Sequence, residues 1–127
     1  MMYLIDSSVF LEVLLTQEKS DICKDFLDSN LDNLHISDFS LHSIGVILFR
    51  NKKEEIFQSF VTDVIPNVII LTLPKLSYKN MVKTKKRIGL DFDDTYQYMV
   101  AKDHDLEIVT LDSDFAKINN IVNIRFL

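Results

Sequence analysis

The stretch LDFDDTYQYMVAKDHDLEIVTLDSDF, from Leu90 to Phe115, decides how this chain is read. Its first half, Asp93 to Asp103, reads as a helix that opens on aspartates, where the helix dipole favours negative charge. Glu107 to Thr110 then reads as a strand, and Asp112 follows two residues after it. A helix followed by a strand that ends in acids is half of a βαβ unit.

Reading outward, the same alternation fills the chain. Met2 to Ile5 is a short apolar run predicted as a buried strand, with Asp6 directly behind it and Val9, Phe10, Val13 and Leu14 at helical spacing beyond. A second helix is expected from about Glu18 to Ser29, with Ile22, Cys23, Phe26 and Leu27 inward. Leu34 to Ser37 reads as a strand, and Asp38 to about Arg50 as a helix in which Leu41, Ile44, Gly45 and Leu48 share a face. Glu54 to Val64 is another amphipathic helix and Val68 to Leu71 a strand. Pro74 starts a helix expected to carry Leu76, Met81 and Val82 toward the core, and Ile121 to Phe126 is the last strand.

Strands interleaved with helices imply an α/β fold with a parallel sheet covered on both faces. With 127 residues, 47% of them apolar, and no repeat or Ser/Gly/Pro-rich linker, one domain spanning residues 1–127 is expected. Composition also excludes whole classes of function. Two glycines cannot build a phosphate-cradling loop, so neither a P-loop nor a dinucleotide fingerprint is present. One cysteine and three histidines without ligand spacing speak against zinc. The balance of 14 basic against 19 acidic residues, −5 overall, disfavours indiscriminate nucleic-acid binding but leaves room for a local basic patch. The N-terminus lacks the charged and apolar regions of a secretory signal, and the longest apolar stretch is interrupted by prolines, so a cytoplasmic protein with no membrane partner is expected.

In parallel α/β sheets, sites form just beyond the carboxyl ends of the strands. Asp6, Asp38 and Asp112 all fall there, and Asp94 lies in a first helical turn. Acids gathered at one place repel one another and carry raised pKa values unless a cation joins them. Oxygen-only ligands select hard ions, Mg²⁺ or Mn²⁺, one or two of which activate water and stabilise the leaving oxygen of a phosphodiester. Each acid also has a structural explanation: Asp6 and Asp38 as helix N-caps, Asp93 and Asp94 as dipole partners, and LDSDF as an Asx-turn with Phe115 in the core.

The segments YLIDSSVF, LDFDDTYQYMVA and IVTLDSDF, taken together and in this order, resemble the PIN domain, the fold of VapC-like toxin ribonucleases. That resemblance implies a three-layer fold with a central parallel sheet flanked by helices, and a metal-dependent endoribonuclease. By motif match it assigns Asp6, Asp94 and Asp112 as metal-binding and catalytic acids, Asp114 as a further acid near the metal, and Thr110 as the hydroxyl before the third acid. One position departs. The family carries a Glu six residues beyond the serine matched by Ser37, and here that position is Ser43. Asp38 can compensate as a ligand only through a local distortion or a water, because five residues of α-helix rotate about 500° and set it on another side. SDFSLHSIG thus marks either altered metal binding or a weakened enzyme.

Other features carry alternatives. His42 lies one turn after Asp38, where a buried or capping role is the first expectation and a bond to that carboxylate the second. Lys75, Lys79, Lys83, Lys85, Lys86 and Arg87 precede the DFDD segment and read either as an RNA-backbone track, with Lys83, Lys85, Lys86 and Arg87 its RNA-binding members, or as a solvated helix face. Tyr96 and Tyr98 fit base stacking or core filling. The expected function is a Mg²⁺- or Mn²⁺-dependent endoribonuclease, the toxin of a toxin/antitoxin pair, with RNA, an antitoxin protein and a second copy in a homodimer as partners. The alternative is a catalytically weak PIN-like module that binds RNA or a protein. A phosphoacceptor receiver domain ranks last, because its acid pair should follow the first strand and only Asp6 does.

Overall fold

The computed structural model describes residues 1–127. Five strands form one sheet: β1 (Tyr3–Ile5), β2 (Leu34–Ser37), β3 (Ile69–Leu71), β4 (Glu107–Thr110) and β5 (Ile124–Phe126). Their order is β3-β2-β1-β4-β5, and every pairing is parallel. Six α-helices connect them: α1 (Ser7–Leu14), α2 (Ser20–Ser29), α3 (Asp38–Arg50), α4 (Glu54–Asp63), α5 (Met81–Ile88) and α6 (Phe92–His104), with short 3₁₀ turns between. No helix is long and apolar enough to cross a membrane.

Strand periodicity divides the core into two halves. On β1 and β4, Leu4 and Ile108 face one side, where Tyr96, Tyr98, Met99, Met81 and Ile88 from α5 and α6 cover them. Tyr3, Ile5 and Val109 face the other, against Val9, Phe10, Ile44, Leu48 and Phe60 from α1, α3 and α4. The result is the expected three-layer arrangement of helices, parallel sheet and helices.

Three details differ from the sequence reading. Lys75–Asn80 is a 3₁₀ turn and the α-helix proper begins at Met81. Met81, Thr84 and Ile88 then set the inward face, so Val82, one step of about 100° from Met81, and Leu76, in the 3₁₀ turn, are 62% and 71% exposed. The inward face of α2 is set by Cys23 and Leu27, which leaves Ile22 exposed. The last strand starts at Ile124, because the amides of Ile121 and Val122 still bond back to the Ile118 carbonyl as the preceding 3₁₀ turn ends. β3 also lies at the sheet edge, with Ile69 and Ile70 exposed.

The topology positions the site. The chain moves outward from β1 through β2 to β3, then returns to the other flank of β1 as β4, so its direction reverses between β1 and β4. The crevice beyond the carboxyl ends of those two strands is where open α/β sheets bind ligands. Since α6 precedes β4 in a parallel crossover, its N-terminus arrives at that same end.

Candidate metal centre

Asp6 follows β1, Asp112 follows β4, and Asp94 lies in the first turn of α6, so three elements deliver acids to one crevice. Carboxylate oxygens of Asp94, Asp112 and Asp114 lie within 4.8 Å of one another. Asp94 is half-buried, Asp112 partly exposed and Asp114 exposed, whereas Asp6 is buried behind them.

Hydroxyl groups hold the buried acid. Oδ2 of Asp6 accepts from Ser8 Oγ at 2.7 Å and from Thr110 Oγ1 at 2.8 Å. Thr110 Oγ1 in turn accepts from the Asp112 amide at 2.9 Å, and Ser8 Oγ from the Leu111 amide at 3.1 Å. The turn after β4 is thereby fixed to the turn after β1 through Asp6. Although Asp6 occupies the N-cap position of α1, its side chain caps no helix amide. Capping therefore does not account for it.

On α6 the cap is Asp91, whose Oδ1 accepts from the Asp94 amide at 3.3 Å. That leaves the Asp94 carboxylate free to face the crevice. Asp112 does cap the 3₁₀ turn Ser113–Ile118 through a 2.9 Å bond from the Asp114 amide, and Phe115 is fully buried. The Asx-turn reading of LDSDF holds, and the turn is the device that brings Asp112 and Asp114 side by side.

The electrostatics follow from this crowding. Burial, then the charges of Asp91, Asp112, Asp6 and Asp93, push the Asp94 carboxyl from 3.8 up to about 7. Burial also raises Asp6, against the lowering effect of its Ser8 and Thr110 hydroxyl bonds, with Asp112 adding to the rise. A cluster of oxygen donors that holds a proton near neutrality fits a hard divalent cation, whose charge would offset the repulsion in place of that proton. Asp94, Asp112 and Asp114 would hold it, with Asp6 behind.

The α3 side is different. Ser37, not Asp38, caps α3, through a 3.0 Å bond from the Ser40 amide. Asp38 is not among the converging acids: its Oδ1 accepts from Tyr96 hydroxyl at 2.7 Å and from the Phe39 amide at 2.8 Å. The same tyrosine hydroxyl accepts from the Leu73 amide at 2.9 Å, so Tyr96 joins α3, α6 and the end of β3. Burial and the Asp38 carboxylate raise that hydroxyl well above the ordinary phenol range. Ser43 lines a groove of about 470 Å³ with Asp38, Val46, Arg50 and Tyr78. His42 lines this groove too, exposed and making no bond to Asp38. Tyr96 and Tyr98 are 1% and 2% exposed and fill the core, which leaves neither ring to stack on a base.

Three contributors carried little sequence signal. Ser8 is legible only as the second serine of IDSS, and Asp91 only as one of several acids in DFDD. Gln97 carried none: buried in α6, it accepts from Ser37 Oγ and donates to Ser40 Oγ at 2.8 Å, holding the start of α3 against the helix that bears Asp94. The basic run is split in space. Lys83 and Arg87 line one cavity with Lys102, whereas Lys85 and Lys86 lie outside it.

Among solved structures, FitAcB from Neisseria gonorrhoeae is similar, with a TM-score of 0.78 and 22% identity over 98% of this chain and 96% of that one. A toxin-antitoxin complex from Klebsiella pneumoniae superposes with a TM-score of 0.72 at 18% identity, covering 90% of each chain. VapC20 from Mycobacterium tuberculosis, a Sarcin-Ricin loop cleaving toxin, gives 0.72 at 14% identity over 90% of this chain and 92% of that one. These likenesses establish the fold. No curated protein matches the sequence. The PIN domain family matches residues 3–121, nearly the whole chain and all of the acids described above, and the protein belongs to the PIN domain family.

Proposed function

We propose that this protein is a Mg²⁺- or Mn²⁺-dependent endoribonuclease and the toxin of a toxin/antitoxin pair. The observation that carries the reading is the convergence of Asp94, Asp112 and Asp114 within 4.8 Å at the carboxyl end of a PIN sheet. PIN domains are generally nucleases, and similar structures include a toxin-antitoxin complex and an RNA-loop-cleaving toxin. In this reading residues 1–127 act as one domain in the cytoplasm, as a homodimer, with RNA as substrate and an antitoxin protein as inhibitor.

Each residue has a role in hydrolysing a phosphodiester. Asp94, Asp112 and Asp114 would bind one or two ions, and a bound ion activates water and stabilises charge on the leaving oxygen. Ser8 and Thr110 orient Asp6, and their hydroxyl bonds favour its charged form against the burial that raises its pKa. The Thr110 hydroxyl also fixes the Asp112 amide, so the two strand ends keep their spacing while the acids repel. Asp94, whose carboxyl is pushed up to about 7 by burial and its acidic neighbours, would have to give up a proton to hold an ion.

A second reading, a weak PIN-like module that binds RNA or protein, draws on Ser43, which gives the α3 wall a hydroxyl where the family pattern has a carboxylate. Incubating the purified chain with single-stranded RNA in Mg²⁺, in Mn²⁺ and in EDTA separates the two. Metal-dependent cleavage that Asp112→Asn removes is the expected result. RNA binding without cleavage in either metal would favour the module. The ion should also stabilise the fold, by ~2.7 kcal/mol at a hundredfold over Kd.

A further inference from the structure

A second polar cavity, of about 400 Å³, opens between α5 and α6. Lys83 and Arg87, one turn apart on α5, and Lys102 on α6 line it with Thr84, Tyr98 and Asp103. Three cations thus face a single carboxylate in a chain of net charge −5. None of the three is in an ion pair, since the two salt bridges of the molecule are Lys24–Asp28 and Arg125–Glu107.

Helix dipoles explain only part of this. Arg87 and Lys102 stand in the last turns of their helices, where a cation is favoured. Lys83 stands in the first turn of α5, where the dipole opposes it, yet it lines the same cavity. Buried Tyr98 forms the floor and keeps two of the cations close together. Its hydroxyl accepts from Arg87 Nη2 at 3.5 Å, and Lys102 Nζ lies 5.8 Å from its ring centroid.

We propose that this cavity is a subsite for backbone phosphates of a single-stranded RNA lying along α6. The inference builds on the ribonuclease reading and adds where the strand runs. Asp94, Tyr98 and Lys102 recur every four residues and so form one stripe of α6, which sets Lys102 about 12 Å along the helix axis from Asp94. A strand with one phosphate at the acids would present successive phosphates further along to the three cations, one to each, and relieve their mutual repulsion. Lys85 and Lys86 sit on the same helix outside the cavity and make an internal control.

The test measures binding of a fluorescein-labelled single-stranded RNA in EDTA against salt, for wild type, the Lys83→Gln/Arg87→Gln/Lys102→Gln triple variant and the Lys85→Gln/Lys86→Gln double variant. Each phosphate left without its cation lowers the slope of log K on log salt by about 0.7, so the slope of the triple variant should be flatter by about 2. Over a roughly fourfold rise in salt, wild-type affinity then falls about 18-fold more than that of the triple variant. The double variant should keep the wild-type slope, and a Lys83→Arg/Arg87→Lys/Lys102→Arg variant should restore it. In Mg²⁺ the triple variant should raise KM and leave kcat unchanged. An unchanged slope in the triple variant, or an equal flattening in the double variant, overturns the subsite. So does competition by inorganic pyrophosphate that the triple variant abolishes without any change in RNA slope, which would assign the cavity to free phosphate. Wild type that binds with the expected slope difference but cuts no RNA in either metal leaves the subsite standing and removes the ribonuclease reading.

Discussion

The two walls of the acidic crevice are built on different principles. On the β1–β4 side, acids are packed together and tied by hydroxyls, so that Asp6, Ser8, Thr110 and Asp112 form one hydrogen-bonded network. On the α3 side the polar groups have other partners: Ser37 and Ser40 bond Gln97, Asp38 bonds Tyr96, and Ser43 lines the neighbouring groove. One wall accumulates charge that a proton on Asp94 or a bound cation would relieve; the other uses its polar groups to hold helices together. In the proposed reaction, chemistry falls to the first wall and positioning to the second.

The sharpest way to break that contrast is to remove a charge from the first wall. Asp94→Asn should lower cleavage of single-stranded RNA by more than the roughly 100-fold that loss of a partner behind a metal ligand can cost. Activity close to wild type would take Asp94 out of the metal centre. Thr110→Val keeps every acid and removes the hydroxyl that orients Asp6 and holds Asp112, so a fall of about 10- to 100-fold in Mg²⁺ affinity or activity is expected, seen by titration calorimetry and initial rates.

The second wall offers the reverse experiment. Ser43→Glu should tighten Mg²⁺ binding by roughly tenfold, because ligand charge count tunes the affinity of oxygen sites. If affinity is unchanged, residue 43 lies too far from the ion to belong to it.

Proton linkage gives a smaller, graded test. With the Asp94 pKa at 3.8 unfolded and about 7 folded, the folded state keeps its proton longer. Its contribution to stability is fully present below pH 3.8 and is lost as pH rises toward 7. The melting temperature of metal-free wild type should therefore fall relative to Asp94→Asn across that interval, and saturating Mg²⁺ should reverse the order at neutral pH. A constant difference would mean that Asp94 is not crowded by its neighbours. The smallest effect belongs to Asp38→Asn. Asparagine still accepts from Tyr96 and Phe39, so stability should change by no more than about 0.5 kcal/mol and cleavage by about twofold. Abolished cleavage would instead make Asp38 a ligand and the two walls alike.

Much of this was present in the order of residues. Local rules are strong where a segment's fate depends on its own pattern: β2, β4 and α3 lie where periodicity puts them, and acids directly behind buried strands must emerge at the carboxyl edge of a parallel sheet. The motif YLIDSSVF with LDFDDTYQYMVA and IVTLDSDF was enough to indicate the fold and the group of acids. Where sequence reasoning went astray, as at Leu76, Val82 and Ile22, the inward face was chosen by a neighbouring segment: a 3₁₀ turn changed the angular step, or the core had already been filled by Met81 or Cys23.

Partnership, by contrast, belongs to tertiary structure. By local pattern, motif match aside, Asp38 and Asp6 are alike, each an aspartate behind a strand and at the mouth of a helix. They diverge because Asp6 lies at the ends of β1 and β4, where the order of strand addition reverses and Thr110 meets it from 104 residues away, whereas Asp38 is met by Tyr96 from 58 residues away. A side chain's charge and reach are written locally, but which donor arrives first depends on how distant strands and helices pack. That packing is decided by burial of the two halves of the core, in which the acids themselves take almost no part.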